Sequence, residues 1–172
     1  MEFIDVLKLR QSTREFKQEQ ITDEELQAVL DGAYLAPTAM GQYDNIKLLV
    51  IQDAEKIQKL GEISMKVMGM DKSPTYGAPT LIFTLHKDHP EDIFIGENSA
   101  VIMENMLLAA TEKGLGSCYL MGLCQTIYKD AEANKIAGVP EGFRMVNAVA
   151  LGHPKNPLSP RDLDRSRIET IR

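Results

Sequence analysis

Ser99-Ala100-Val101-Ile102-Met103-Glu104-Asn105-Met106-Leu107-Leu108-Ala109-Ala110-Thr111-Glu112-Lys113 is apolar on nearly every side of a helical projection. A helix without a broad polar face has to be buried. The run falls short of the ~20 apolar residues that cross a bilayer. It therefore reads as a central helix, or as one held in a subunit interface. Gly114 suits the position that closes it.

Toward the C-terminus, Leu115 to Leu120 reads as a strand, followed by a loop at Met121-Gly122. Lys129 to Ala137 reads as a helix closed by Gly138 and Pro140, and Met145 to Leu151 as a last strand. After Gly152 the chain turns extended and rich in proline (Pro154, Pro157, Pro160). Such a tail makes no core of its own and must lie across another surface, such as a partner subunit.

Toward the N-terminus, Pro79 to Leu85 is a strand apolar enough to be central. Asp53 to about Met68 reads as a helix, and Met65, Met68 and Met70 as core gap-fillers or a loose lid. Ile46 to Ile51 is a strand. Thr22 and Glu25 form a capping box, with Ile21 and Leu26 at the staple positions. Leu26, Val29, Leu30 and Ala33 give that helix its apolar face, and Pro37 ends it. Phe3, Val6, Leu7 and Arg10 share one face of a short helix that delivers Arg10 to its C-terminal end. The order α, α, β, α, β, α, β, α, β implies an α+β or three-layer α/β/α domain with four or five strands.

The chain has 172 residues, a length that fits one domain spanning 1–172. Its apolar content of 44% and mixed charges are those of a globular protein. The net charge of −6, with no basic stripe, argues against nucleic acid as a partner. An acidic N-terminus without a signal-like start, and no span-length apolar run, make cytoplasmic the default location and argue against a membrane. Cys118 and Cys124 make no disulfide framework. Cys118 reads as a packed strand residue and Cys124 as a loop residue. His86, His89 and His153 show no metal-ligand spacing. Lys87, Asp88, Glu91, Asp92 and Glu97 read as a solvated face.

Two basic clusters stand out in this acidic chain: Arg10-Gln11-Ser12-Thr13-Arg14 and Arg165-Ser166-Arg167. A guanidinium presents a planar fork of donors that matches phosphate oxygens, and a serine hydroxyl between two arginines takes a third oxygen. If folding unites the two clusters, they form a pocket for a phosphate monoester, as on a small phosphorylated cofactor.

Several pieces, taken in order, resemble the nitroreductase family of FMN-dependent oxidoreductases. They are Arg10-x-Ser12-x-Arg14, Ala36-Pro37-Thr38-Ala39, Asn105 to Ala110, Gly114-Leu115-Gly116-Ser117-Cys118, Val149 to Pro154, and Arg165-Ser166-Arg167. The resemblance implies a three-layer α/β/α fold with a mostly antiparallel sheet. It also implies an intertwined homodimer, the tail of about 153–172 extending over the partner. Arg10, Ser12, Arg14, Arg165 and Arg167 would hold the FMN phosphate, and Gln11 would approach the flavin edge. Pro37, Thr38 and Ala39 would contact the ring from the partner subunit. Tyr119, Leu120, Met121 and Gly122 would cover one ring face and offer a backbone N–H to flavin N5. NADH or NADPH would be the electron donor, and a nitroaromatic, quinone or similar small molecule the acceptor, in a ping-pong cycle. No side chain is assigned a catalytic role, because the flavin carries the chemistry.

One segment departs from the family pattern. Gly41 stands where an Asn is common, and Tyr43-Asp44-Asn45 where Gln-Pro-Trp is common. Tyr43 either contacts the flavin or packs the strand end. This departure supports an alternative, an FMN-binding protein with little turnover that serves as store, carrier or sensor. A third reading is a dimeric module whose basic ends bind another phosphate or an acidic partner.

Overall fold

The computed structural model describes residues 1–87 and 93–171, so the expected solvated face at Asp88, Glu91 and Asp92, and His89 with it, lies outside the described residues. The elements in chain order are α1 (Phe3–Leu9), α2 (Asp23–Tyr34), β1 (Ile46–Ile51), α3 (Ala54–Met68), β2 (Thr80–Lys87), α4 (Ile95–Glu112), β3 (Gly116–Tyr119), α5 (Met121–Ile127), α6 (Ala131–Ala137) and β4 (Phe143–Gly152). The strands form one sheet in the order β1-β2-β4-β3, every neighbouring pair antiparallel.

The sheet separates two apolar clusters. On one face α2 and α4 pack Val29, Ala33, Ile102, Met103 and Met106 against Ile82, Val149 and Leu151. On the other, α3, α5 and α6 pack Leu60, Leu123, Ile127 and Ala133 against Leu81, Phe83, Leu85 and Ala150. Helices on both faces explain why β2 is buried from Thr80 to His86 instead of alternating. The result is a three-layer α+β arrangement with an antiparallel sheet.

Local rules predicted several elements closely. The Thr22 hydroxyl accepts the Glu25 N–H at 3.2 Å, and the Glu25 carboxylate accepts the Thr22 N–H at 2.8 Å, so the capping box is complete. Asp53 caps α3 through the Glu55 and Lys56 amides. Gly69 and Gly138 close α3 and α6 in the left-handed region, which L side chains rarely adopt.

Two expectations are corrected. Met121-Gly122 is not a loop but the start of α5, whose Leu123, Cys124 and Ile127 are buried. Glycine at the second helical position interrupts no ladder, because first-turn amides have no intrahelical acceptor. The central helix begins at Ile95, earlier than its apolar run, and is not buried all round: Val101 is 40% exposed and Ala100 and Glu104 are open.

Candidate functional site

Arg10 caps the C-terminus of α1, its N–H bonded to the Val6 carbonyl. Its Nε lies 3.6 Å from the Glu104 carboxylate of α4, so a helix on the far side of the cluster orients the guanidinium. The next residues run beside β3. Ser12 bridges Ser117 in parallel, and the Thr13 N–H donates to the Ser117 carbonyl at 2.8 Å. Gly116 makes this approach possible, because a Cβ there would stand 2.7 Å from Thr13 Cγ2. Arg14 is exposed; it reaches the Ser12 carbonyl at 3.5 Å and stands 5.8 Å over the Tyr76 ring.

The start of the tail is laced to this segment. Lys17 N–H donates to the His153 carbonyl at 2.8 Å, Lys155 N–H to the Glu15 carbonyl at 3.1 Å, and Asn156 Nδ2 to the Glu15 carboxylate at 3.1 Å. Between them lies a groove of about 340 Å³ lined by Gln11, Ser12, Thr13, Arg14, Glu15, Asn156, Pro157 and Leu158. Farther on, the Arg161 N–H donates to the Lys8 carbonyl and its Nη2 to the Leu7 carbonyl, both at 3.0 Å. These are last-turn carbonyls of α1, which the helix itself leaves unpaired. Arg165 then lines a second groove with Lys8, Pro160, Arg161, Asp162 and Leu163. Arg167 is exposed.

Pro37, Thr38 and Ala39 lie elsewhere, on the loop after α2. Thr38 and Tyr43 help line a cavity of about 250 Å³ with Tyr34, Lys47 and Ile102, separate from the arginine groove. Tyr43 is 56% exposed there. The Ala39 N–H donates to Asn98 Oδ1 at 2.7 Å. Tyr119 ends β3. Leu120 is buried, its N–H bonded to the Ala148 carbonyl at 2.7 Å, and Met121 and Gly122 open α5. A Cβ on Gly122 would stand 3.8 Å from Met68 Cε. Met68 and Met70 are exposed and do not fill the core; Met68 approaches the start of α5, and Met65 is half-buried.

Within one chain the structure thus gathers Arg10, Gln11, Ser12 and Arg14 and brings Arg165 beside Lys8. Thr38, of the Pro37–Ala39 loop, lines a different cavity. Sequence reasoning missed Arg161, Glu104 and Asn98, whose partners are distant along the chain. The one local signal was an arginine placed directly after Pro160.

Both cysteines are buried. Burial pushes the Cys124 thiol far above its ordinary range, and its place in α5 corrects its reading as a loop residue. Burial also raises Cys118, against the weaker opposing effects of the Arg14 charge and a Ser12 hydrogen bond. Neither group is poised as a nucleophile. Among the described residues no three His, Cys, Asp or Glu side chains gather as metal ligands, and no helix is long and apolar enough to cross a membrane.

Comparison with known proteins gives this geometry a context. A protein of Archaeoglobus fulgidus, named as a candidate NADH dehydrogenase/NAD(P)H nitroreductase, is 29% identical over 90% of this chain and 87% of its own length. The NADPH-flavin oxidoreductase of Vibrio harveyi is 27% identical over 90% of this chain and 67% of its own. The crystal structure of a nitroreductase with bound FMN from Bacteroides fragilis covers both chains fully, with a TM-score of 0.86 and 26% identity. The nitroreductase family model matches residues 7–69 and 68–153, and on that extent of agreement, with the same three-layer fold, this chain belongs to the nitroreductase family.

Proposed function

We propose that this chain is an FMN-dependent oxidoreductase that takes electrons from NADH or NADPH and works as a homodimer. The observation that carries the reading is the groove in which Ser12 and Arg14 face the start of the tail. The residues present fit a flavin mononucleotide. Arg14 and Ser12 are exposed and lie beside the half-buried Arg10. Ser117 beneath them has a buried hydroxyl oxygen without a protein partner. Gly116 lets the segment at Thr13 lie close against β3, which keeps Ser12 and Arg14 at the groove.

In this reading Arg10, Ser12, Arg14, Arg165 and Arg167 hold the phosphate through charge-assisted bonds. Gln11 faces the flavin edge. Met121, with the backbone of Leu120, would cover one ring face, and the Gly122 N–H, a first-turn amide without an intrahelical acceptor, would be available to N5. When bound, FMN supplies two-electron exchange, taking hydride from the nicotinamide and passing electrons to a nitroaromatic, quinone or similar acceptor in a ping-pong cycle. The exposed methionines beside Gly122 suit acceptors of varied shape.

The dimer follows from what one chain leaves open. Phe3, Ile4, Tyr34, Leu35, Met40 and Val101 are exposed apolar residues on α1, α2, the following loop and α4. Their cover is the second copy, whose Pro37, Thr38 and Ala39 then reach the ring. The tail meets α1 at its last turn, where Arg161 bonds the Leu7 and Lys8 carbonyls.

Steady-state kinetics test the reading. With NADH or NADPH varied at several fixed concentrations of a quinone, the double-reciprocal lines should be parallel. Intersecting lines would contradict a shared donor and acceptor site, and no turnover would favour the low-turnover FMN binder.

A further inference from the structure

Residues 39–45 form two single turns of 3₁₀ helix, with Met40 at φ +56° and Gly41 at φ +65°. A non-glycine residue in the left-handed region is strained. Met40 and Tyr43 are exposed, so side-chain packing does little to fix this segment. Its backbone bonds are local: Gly41 N–H to Thr38, Gln42 N–H to Ala39, and Asn45 N–H to Gln42. A stretch of this kind belongs to the easily opened part of a protein unless something rigid holds it.

The rigid element is α4. Asn98 is 3% exposed, and its Oδ1 accepts the Ala39 N–H at 2.7 Å across 59 residues of sequence. The neighbouring Ser99 is fixed to both central strands, bonding the Thr84 hydroxyl of β2 and the Asn147 amide of β4. Asn98 therefore has little freedom to follow the loop, and the loop follows it. Its Nδ2 is buried without a protein partner. The amide oxygen is thus the atom that matters for Ala39, and an unpaired buried donor is a cost the site carries.

We propose that Asn98 is a positioning residue for the ring-contacting loop: its carboxamide oxygen sets the place of Ala39, and with it Pro37 and Thr38, for flavin binding. The flavin part of this inference rests on the proposed function; the anchoring part does not.

The test uses the full chain and four variants. Asn98→Ala and Asn98→Leu remove the acceptor, the second while filling the space. Asn98→Asp keeps an oxygen acceptor in either protonation state and removes the amide Nδ2 donor. Ser99→Ala perturbs the same buried turn without touching the loop. Three quantities are read: the FMN dissociation constant, the visible band of bound flavin, and hydrogen exchange at the Ala39 amide before FMN is added.

Asn98→Ala or Asn98→Leu should speed Ala39 exchange and raise the FMN dissociation constant by at least about tenfold, the scale of one buried hydrogen bond. The flavin band should shift. Asn98→Asp should restore all three readouts, and Ser99→Ala, which loosens the turn but keeps the acceptor, should change them by clearly less than the acceptor-less variants. Unchanged Ala39 protection in the acceptor-less variants overturns the proposal. So does a Ser99→Ala effect as large as theirs. If the unaltered protein ignores FMN, the proposed function fails by itself, and the exchange data still decide whether Asn98 holds the loop.

Discussion

Residues 11–17 and residues 158–171 each carry one basic cluster, and the fold treats them differently. The first is held along β3 by the Thr13–Ser117 bond and, from the other side, by His153, Lys155 and Asn156. The second is exposed along nearly its whole length, and Arg161 ties it to the end of α1. Arginines held by the backbone before a ligand arrives lose little conformational freedom on binding, whereas those on a free tail must be ordered at that moment. In the proposed reading, one half of a phosphate clasp would thus be prebuilt and the other completed by ligand and partner.

The double variant Arg10→Ala, Arg14→Ala strikes the prebuilt half and should have the largest effect. Each charge-assisted bond to an anion contributes about ten- to a hundredfold in affinity, so the pair should weaken FMN binding by roughly 10² or more. Isothermal titration with FMN measures it. Arg165→Ala with Arg167→Ala should weaken binding by a smaller factor, because part of their interaction is offset by ordering the tail. An equal loss would show that the tail is preordered and would erase the contrast; no loss would show that the tail does not reach the phosphate.

Arg161→Ala should act less still, lowering affinity by less than about tenfold through release of the tail, since it loses one hydrogen bond to a backbone carbonyl. Hydrogen exchange resolves the difference. Amides from 161 onward should exchange faster, and those at residues 13 and 17 should not.

The smallest effect concerns the thiols. In the native protein neither Cys118 nor Cys124 should react with a disulfide reagent at pH 8, and both should react after denaturation. Their folded pKa values are raised, so the unfolded chain loses these protons first. The stabilisation is fully present below the unfolded thiol value of roughly 8.5 and is lost as pH rises above it. Urea midpoints should therefore fall between neutral pH and pH 10.

The same contrast explains what the sequence revealed. Elements set by local rules were legible: the capping box at Thr22 and Glu25, and β1, expected and found at Ile46–Ile51. Arg10, Ser12 and Arg14 were legible because they are adjacent in sequence. The meeting of Ser12 and Arg14 with Asn156–Leu158 was not, since it depends on pairing segments more than a hundred residues apart. Gly122 hid the start of α5, although Leu123 and Ile127 already had helical spacing. The apolar run of α4 could not tell a core face from an interface face, because both exclude water; the exposure of Val101 makes that distinction. Asn98 gave no pattern at all, and Arg161 only its place after Pro160, as their partners are backbone groups.

The central claim is that this chain holds FMN and that a nicotinamide reduces it. The most direct measurement is the absorbance spectrum of the purified protein, with anaerobic addition of NADH and then NADPH. The account predicts a flavin spectrum, present as purified or after adding FMN, that bleaches with at least one donor. A colourless protein that ignores FMN, or a bound flavin that stays oxidised with both donors, would contradict it.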